Sequence, residues 1–526
     1  MASEYENANL HALKRSKTIY ITIARQFTIV LTIYYNLVAV YRIWFHPLAK
    51  FPGPRICAIT FLYEIAWDYF YEGTYVYKIE ELHDRYGPVV RVNPAELSIR
   101  DPEYYRTVYV ASNTRSTSAY PAFAAGMGIQ GSHPVTIDHQ LHRQRRKPLE
   151  PFFTSSGVKK IYPLLMELVQ SLISQLRENL EKDTIVRLDH ALFAFAGEVM
   201  CKVCFENQNS TFLSQPDFYP QWFTLLHTIT RSSPIIVNFP WIFRIVELIP
   251  ASLITRLSLS GEMLMNWRTM SIEYINRVKQ RVTLEKPNDS GGKSPPSTLF
   301  YDLLTSDLPA SELTTERLGA EAQVLLMAGT MSVARSMGHL VVHILLNVDV
   351  RQRLTEELST IDPEGSQNIP SYQTLQQLPY LQACIKEGLR MSIASMHRLP
   401  RCSPDVALQY HEWIIPPGTP VGMSTYLMHY DPDVYSEPKV FKPERWLGEI
   451  NSKMLRNYVP FAKGSRDCLG TELAYAEISM VLAAIFGPLG PKISLYETDS
   501  SDVDPYHAFV GSLPKLSSKG IRVTMG

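Results

Sequence analysis

A mainly α-helical body with small peripheral β-sheets, carried behind one apolar anchor helix, is the fold class this sequence predicts. Three observations predict it: long stretches of helical periodicity, a few short strand-like runs bounded by turn residues, and one long apolar segment near the N-terminus. Helical spacing of apolar residues is clearest over 159–180, 315–346 and 470–486. Strand-like runs fall at 89–92, 95–99, 412–415 and 520–523, the third closed by the turn Pro416-Pro417-Gly418.

The apolar segment Phe27 to Phe45 is 19 residues long, enough to cross a bilayer as a helix. Asn36 and Arg42 interrupt it, and Arg42 can snorkel to the interface beside Trp44. Residues 1–45 therefore read as a tail and transmembrane anchor. Pro47, Pro52, Gly53 and Pro54 cannot continue a helix, so 46–55 is a stiff hinge, and 56–526 is one catalytic domain. Cations stand on both sides of the span (Lys14, Arg15, Lys17 and Arg25 before it, Arg42, Lys50 and Arg55 after), so charge alone does not set its orientation.

Across all 526 residues Lys plus Arg (51) balances Asp plus Glu (51), which leaves no global field for nucleic acid. Six scattered cysteines in so long a chain do not form a disulfide framework and point to a reducing compartment, with the body on the cytosolic side. Cys201 and Cys204 are a C-x-x-C pair without zinc partners and read as core. GMGIQG at 126–131 lacks a strand-to-helix context, and GGKS at 291–294 lacks the first P-loop glycine. Asn209 opens a formal glycosylation sequon, irrelevant to a cytosolic body.

The chemistry concentrates at FAKGSRDCLG, 461–470. The apolar helical pattern starting at Gly470 places Cys468 at a helix N-terminus, where free N–H groups and the dipole stabilise a thiolate. Glu387 and Arg390 (E-x-x-R) lie three apart on one helix face, and Arg445 follows in FKPERW. F-x-x-G-x-R-x-C-x-G, E-x-x-R and P-E-R-W in this order are the signature of the cytochrome P450 superfamily, which the chain resembles from about His46 to the C-terminus.

That resemblance implies a heme-thiolate fold with heme b held by Cys468. It makes Phe461 a shield for the sulfur, Gly464 and Gly470 places of close backbone approach, and Arg466 a propionate partner. Glu387, Arg390 and Arg445 become a structural charge triad locking the cysteine loop. His142 and Arg146, four apart, match the family's W-x-x-x-R position, with His for Trp. Arg398 resembles the propionate arginine after E-x-x-R. Arg143, Arg145, Lys147 and Lys463 are left as a cationic dock for NADPH-cytochrome P450 reductase, the expected electron donor.

The oxygen-binding helix departs from the family pattern. In LLMAGTMSVARS, Ala328 and Gly329 match, Met331 stands where an acid is usual, and Ser332 replaces threonine as the hydroxyl donor. Three readings stay open: a monooxygenase fed protons by water or substrate, a heme-thiolate isomerase or dehydratase, and a protein that only binds heme. The intact cysteine motifs favour the first. The stretches FPGPR, LHDRYGPVVRVNPAELSI and PFFTSSG resemble filamentous-fungal members of secondary metabolism similar to trichodiene oxygenases. This implies a small apolar, terpenoid substrate and an endoplasmic-reticulum membrane location.

Overall fold

The computed structural model describes residues 2–111, 114–182, 185–205, 212–239, 241–249, 259–284, 298–361 and 369–526. The GGKS segment and the Asn209 sequon lie outside them.

The N-terminal helix Ala2–Val40 runs into a π-helical turn, Tyr41–Phe45. Its stretch Lys17–Phe45 is long and apolar enough to cross a membrane, and its most apolar window packs against nothing. The hinge follows as an irregular turn, and the body's first helix begins at Arg55.

Four helices build the core. Leu188–Phe205 is buried at every position except Lys202, as a helix apolar nearly all round must be. The long helix Thr315–Leu346 packs along it, with Tyr162–Glu181 on one flank and Thr471–Phe486 across the far end. Thr314 caps the long helix by accepting the Arg317 N–H at 3.3 Å, so its start is set locally. The predicted 159–180 segment is divided: Ser155–Lys160 is a separate short helix, and Pro163 opens the longer one.

The sheets are peripheral. The largest has five strands in the spatial order Val89–Arg91, Leu97–Ile99, Pro420–Gly422, Arg401–Cys402 and Ser118–Ala119. Leu97–Ile99 and Pro420–Gly422 run parallel, the other pairs antiparallel. Arg401 thereby stands in a central strand beside the cavity described next. Cys201 and Cys204 are fully buried, as a core pair.

Candidate heme-thiolate site

Five of the six cysteines are buried, and Cys468 alone is exposed. It opens into an internal cavity of about 290 Å³, walled by the long helix on one side and the cysteine helix Thr471–Phe486 on the other. Gly470 caps that helix, so Cys468 sits two residues before the cap, as its spacing predicted. The Cys468 N–H donates to the Phe461 carbonyl at 2.9 Å, closing the loop on itself. Burial pushes the thiol pKa up, while the Gly470 N–H and the Arg146 charge pull it back.

The loop's two glycines do different jobs. A Cβ at Gly470 would meet nothing within 4 Å, so this backbone edges open space beside the sulfur. At Gly464, with φ +86°, a Cβ would meet the Tyr109 carbonyl oxygen at 2.5 Å. Its conformational freedom lets the loop pack on Tyr109 and Val110, which corrects the expectation of close approach to the cofactor. The Phe461 ring lines the cavity and meets Tyr475 at 5.4 Å.

The charge triad forms as a buried network. Arg390 donates Nε–H and Nη2–H to the two oxygens of Glu387, each at 2.9 Å, and Arg445 Nε–H donates to Oε1 at 2.9 Å. Trp446 Nε1–H (2.8 Å) and the Lys442 N–H (3.0 Å) complete the carboxylate's partners. Burial alone would raise the Glu387 pKa, but the Arg390 bonds and the charges of Arg390 and Arg445 outweigh it and hold the group below its usual range. The sequence reading missed His429: its Nδ1 faces the Arg390 carbonyl at 2.8 Å, and its Nε2 takes the Val459 N–H at 2.9 Å. This ring joins the triad to the segment that enters the cysteine loop.

The candidate propionate cations separate into two groups. Arg398 is held by the carboxylates of Glu64 and Glu96, with its Nε 2.7 Å from Glu96 Oε1. Its charge is already compensated, which corrects its assignment as a propionate partner. Arg146 donates to the Asp467 carbonyl at 2.6 Å and to its carboxylate at 2.7 Å, so it ties the His139–Arg146 helix to the cysteine loop. Arg466 instead meets only backbone carbonyls, Thr136 at 2.7 Å and Ile137 at 3.0 Å among them, and its buried Nε has no partner among the described residues.

Arg401, three residues after Arg398, likewise donates only to carbonyls, those of Leu399 and Pro400 at 3.2 Å. Nothing in HRLPRC distinguishes the two arginines; only the distant acids do. Burial and then the Arg401 charge push the Arg466 pKa down to about 9. Burial, helped by Arg466 and other cations, pushes His142 down to about 2, and its buried Nδ1 has no partner. Three mutually repelling groups buried without a counter-charge form a receptor for anions. A flat apolar cofactor with acidic side arms fits both features, the open face at Gly470 and the uncompensated cations.

On the long helix, Leu325, Ala328, Gly329, Ser332, Val333 and Ser336 form the stripe facing the cavity. Gly329 allows close packing, since a Cβ there would meet Met200 Sδ at 2.5 Å. Ser332 Oγ donates to the Ala328 carbonyl at 2.6 Å. Met331 is absent from the stripe; its sulfur accepts the Thr230 hydroxyl at 2.8 Å on helix Pro220–Asn238.

Of the expected docking cations, Arg143 and Lys147 are exposed. Arg145 is not available: it forms a two-pronged pair with Glu312 at 2.8 and 3.1 Å.

A family model described as Cytochrome P450 matches residues 58–488. The chain is 51% identical to "Fusicoccadiene C-8 hydroxylase" of Alternaria brassicicola, covering 94% of this chain and 95% of that protein. It is also 51% identical to the protein of that name from Phomopsis amygdali, over 92% and 93% of the two chains. "Cytochrome P450 monooxygenase oblB" of Emericella variicolor is 45% identical, over 93% and 90%. These likenesses run through the cysteine loop, the triad and the long helix alike, and the chain belongs to the cytochrome P450 family as one of its monooxygenases.

Proposed function

We propose that this enzyme hydroxylates a terpenoid hydrocarbon at the cavity between Ser332 and Cys468. The single observation that carries the site is the exposed sulfur of Cys468 opening into an enclosed, largely apolar cavity. The family implies heme on a cysteine thiolate and electrons from a reductase. Here Cys468 would hold the iron of heme b, and Arg401, Arg466 and His142 would hold its propionates. When bound, the heme-thiolate group supplies the activation of dioxygen.

The protein's own contribution is placement and exclusion. Leu325, Ala328, Val333 and Ala394 offer apolar walls, which select a hydrocarbon by burial and orient it by shape. The Ser332 hydroxyl, on the face opposite the sulfur, is placed to pass a proton. Glu387, Arg390, Arg445 and His429 hold the cysteine loop at fixed distance, and Arg146 secures its outer side through Asp467. Met331 in place of an acid does not carry an isomerase reading, since the relatives above are named hydroxylase and monooxygenase. The names of the first two relatives support a diene-type hydrocarbon as substrate.

The N-terminal helix would anchor the body, by way of the 46–55 hinge, to the endoplasmic-reticulum membrane. There Arg143, Lys147 and Lys463 would meet NADPH-cytochrome P450 reductase. The test is co-expression with that reductase on terpene hydrocarbons, followed by product profiling with and without NADPH. A hydroxylated product that requires NADPH is expected. Equal product without NADPH would falsify the proposal.

A further inference from the structure

The cysteine helix also turns a stripe to the cavity: Gly470, Leu473, Ala474, Glu477 and Ile478. Glu477 is the one polar side chain in it. It is 1% exposed, and neither carboxyl oxygen has a hydrogen-bond partner among the described residues. An ionised carboxylate in such a place costs far more than the acid form, and a leucine would pack without either cost. Burial is the one influence on its pKa, which lies well above the ordinary carboxylate range. At neutral pH this side chain is therefore a carboxylic acid, an O–H donor stored beside the pocket. Nine residues separate it from Cys468, about 13 Å along the helix axis, so it does not act on the sulfur.

Across the cavity a line of hydroxyls begins. Ser336 and Ser392 both line it, with their Oγ atoms 3.1 Å apart. Ser332 stands one turn from Ser336 on the same face of the long helix. The other titratable groups on the wall are committed elsewhere. His133 is bound to Glu321 at 2.6 Å, and Asp467 is bound to Arg146 on the sulfur side. Met331 carries no proton and faces Thr230.

We propose that Glu477 is the acid that feeds protons to the oxygen side of this pocket, through cavity water and the hydroxyls of Ser392, Ser336 and Ser332. The proposal rests on the monooxygenase reading above. In that reaction one C–H bond and one dioxygen, with two electrons and two protons, become one alcohol and one water. The reductase supplies the electrons, so only the protons need a route through the protein. In each transfer the Glu477 O–H bond breaks as a water O–H bond forms. The hydroxyls pass a proton onward in turn, and solvent water reprotonates the carboxylate.

The test uses the full-length, heme-loaded enzyme with its reductase, as wild type, E477Q, E477D, S336A and E477Q/S336A. The infrared spectrum of wild type should show the carbonyl band of a protonated carboxylic acid, shifted in D2O and missing in E477Q. E477Q should keep the wild-type reduced carbon-monoxide spectrum, yet yield about tenfold less product per NADPH. The lost reducing equivalents should appear as peroxide, with a larger solvent isotope effect, and E477D should restore most of the coupling. S336A should lose coupling similarly and add little to E477Q. An absent band, unchanged coupling in E477Q with a normal spectrum, or fully additive losses would overturn the proposal. If E477Q does not load heme, E477D decides: a shifted solvent isotope effect supports the relay, and an unchanged one refutes it. Wild type that makes no product with NADPH defeats the monooxygenase reading instead, while the infrared band still reports on Glu477.

Discussion

His429 accepts the backbone N–H of Val459 on Nε2 at 2.9 Å, and so its other ring nitrogen must carry the proton it gives to the Arg390 carbonyl at 2.8 Å. Burial keeps the ring neutral, with a pKa down to about 3. A neutral imidazole in one fixed tautomer thus couples the buried charge triad to the chain segment leading to Cys468. Replacing it by alanine leaves a buried N–H and a carbonyl without partners, at about 1–3 kcal/mol each. His429→Ala is expected to lower the urea midpoint and to weaken the thiolate form of the reduced carbon-monoxide spectrum before it abolishes folding.

Glu387 holds two arginines in a fully buried setting. Glu387→Gln removes the charge that compensates them, and a broken buried pair costs about 3–5 kcal/mol. Because the folded pKa lies below the unfolded one, the wild-type network stabilises above the ordinary carboxylate range. That contribution drains away as pH falls through the depressed folded value. Urea unfolding at neutral pH and in acid should therefore show a gap between wild type and variant that narrows in acid.

Arg398 and Arg401 should fail in different ways. Arg398→Ala strands the buried carboxylates of Glu64 and Glu96, so it should lower stability by several kcal/mol whether or not heme is present. Arg401→Ala removes a cation that has no carboxylate partner, so the heme-free protein should keep or gain stability. Its cost should instead be faster heme loss, measured by transfer to an acceptor globin. Equal heme loss from both variants would contradict this division.

Met331→Asp is expected to destabilise rather than repair. The side chain meets Thr230 and lies 7% exposed, away from the cavity stripe. A carboxylic acid there faces one hydroxyl and apolar packing, at about 1–3 kcal/mol. Product formation per NADPH should stay the same or fall. A large gain would show that the methionine had impaired a relay running through this position.

Local patterns in the sequence carried much of this. The spacing of FAKGSRDCLG located a cysteine two residues before a helix cap, because helix starts depend on neighbours close in the chain. The E-x-x-R pair was legible for the same reason, being three residues apart on one helix. What could not be read depends on partners distant in sequence. The acids that neutralise Arg398 stand 334 and 302 residues away, so the motif alone could not exclude it or bring forward Arg401. Gly464 reads the same whether it faces a cofactor or the Tyr109 carbonyl. His429 and Glu477 belong to no short pattern, and only burial and bonding single them out.

The two walls of the cavity have a consequence for how the enzyme is made. One is the long helix ending at Leu346, the other the cysteine helix beginning at Thr471, and Arg401 is supplied by a strand between them. During synthesis the pocket does not exist until the ribosome has released nearly the whole chain. Until then the apolar stripe from Leu325 to Ser336 has no partner on its open side. Cofactor capture is thus a late event in biogenesis, and chains awaiting it expose the surface most prone to association.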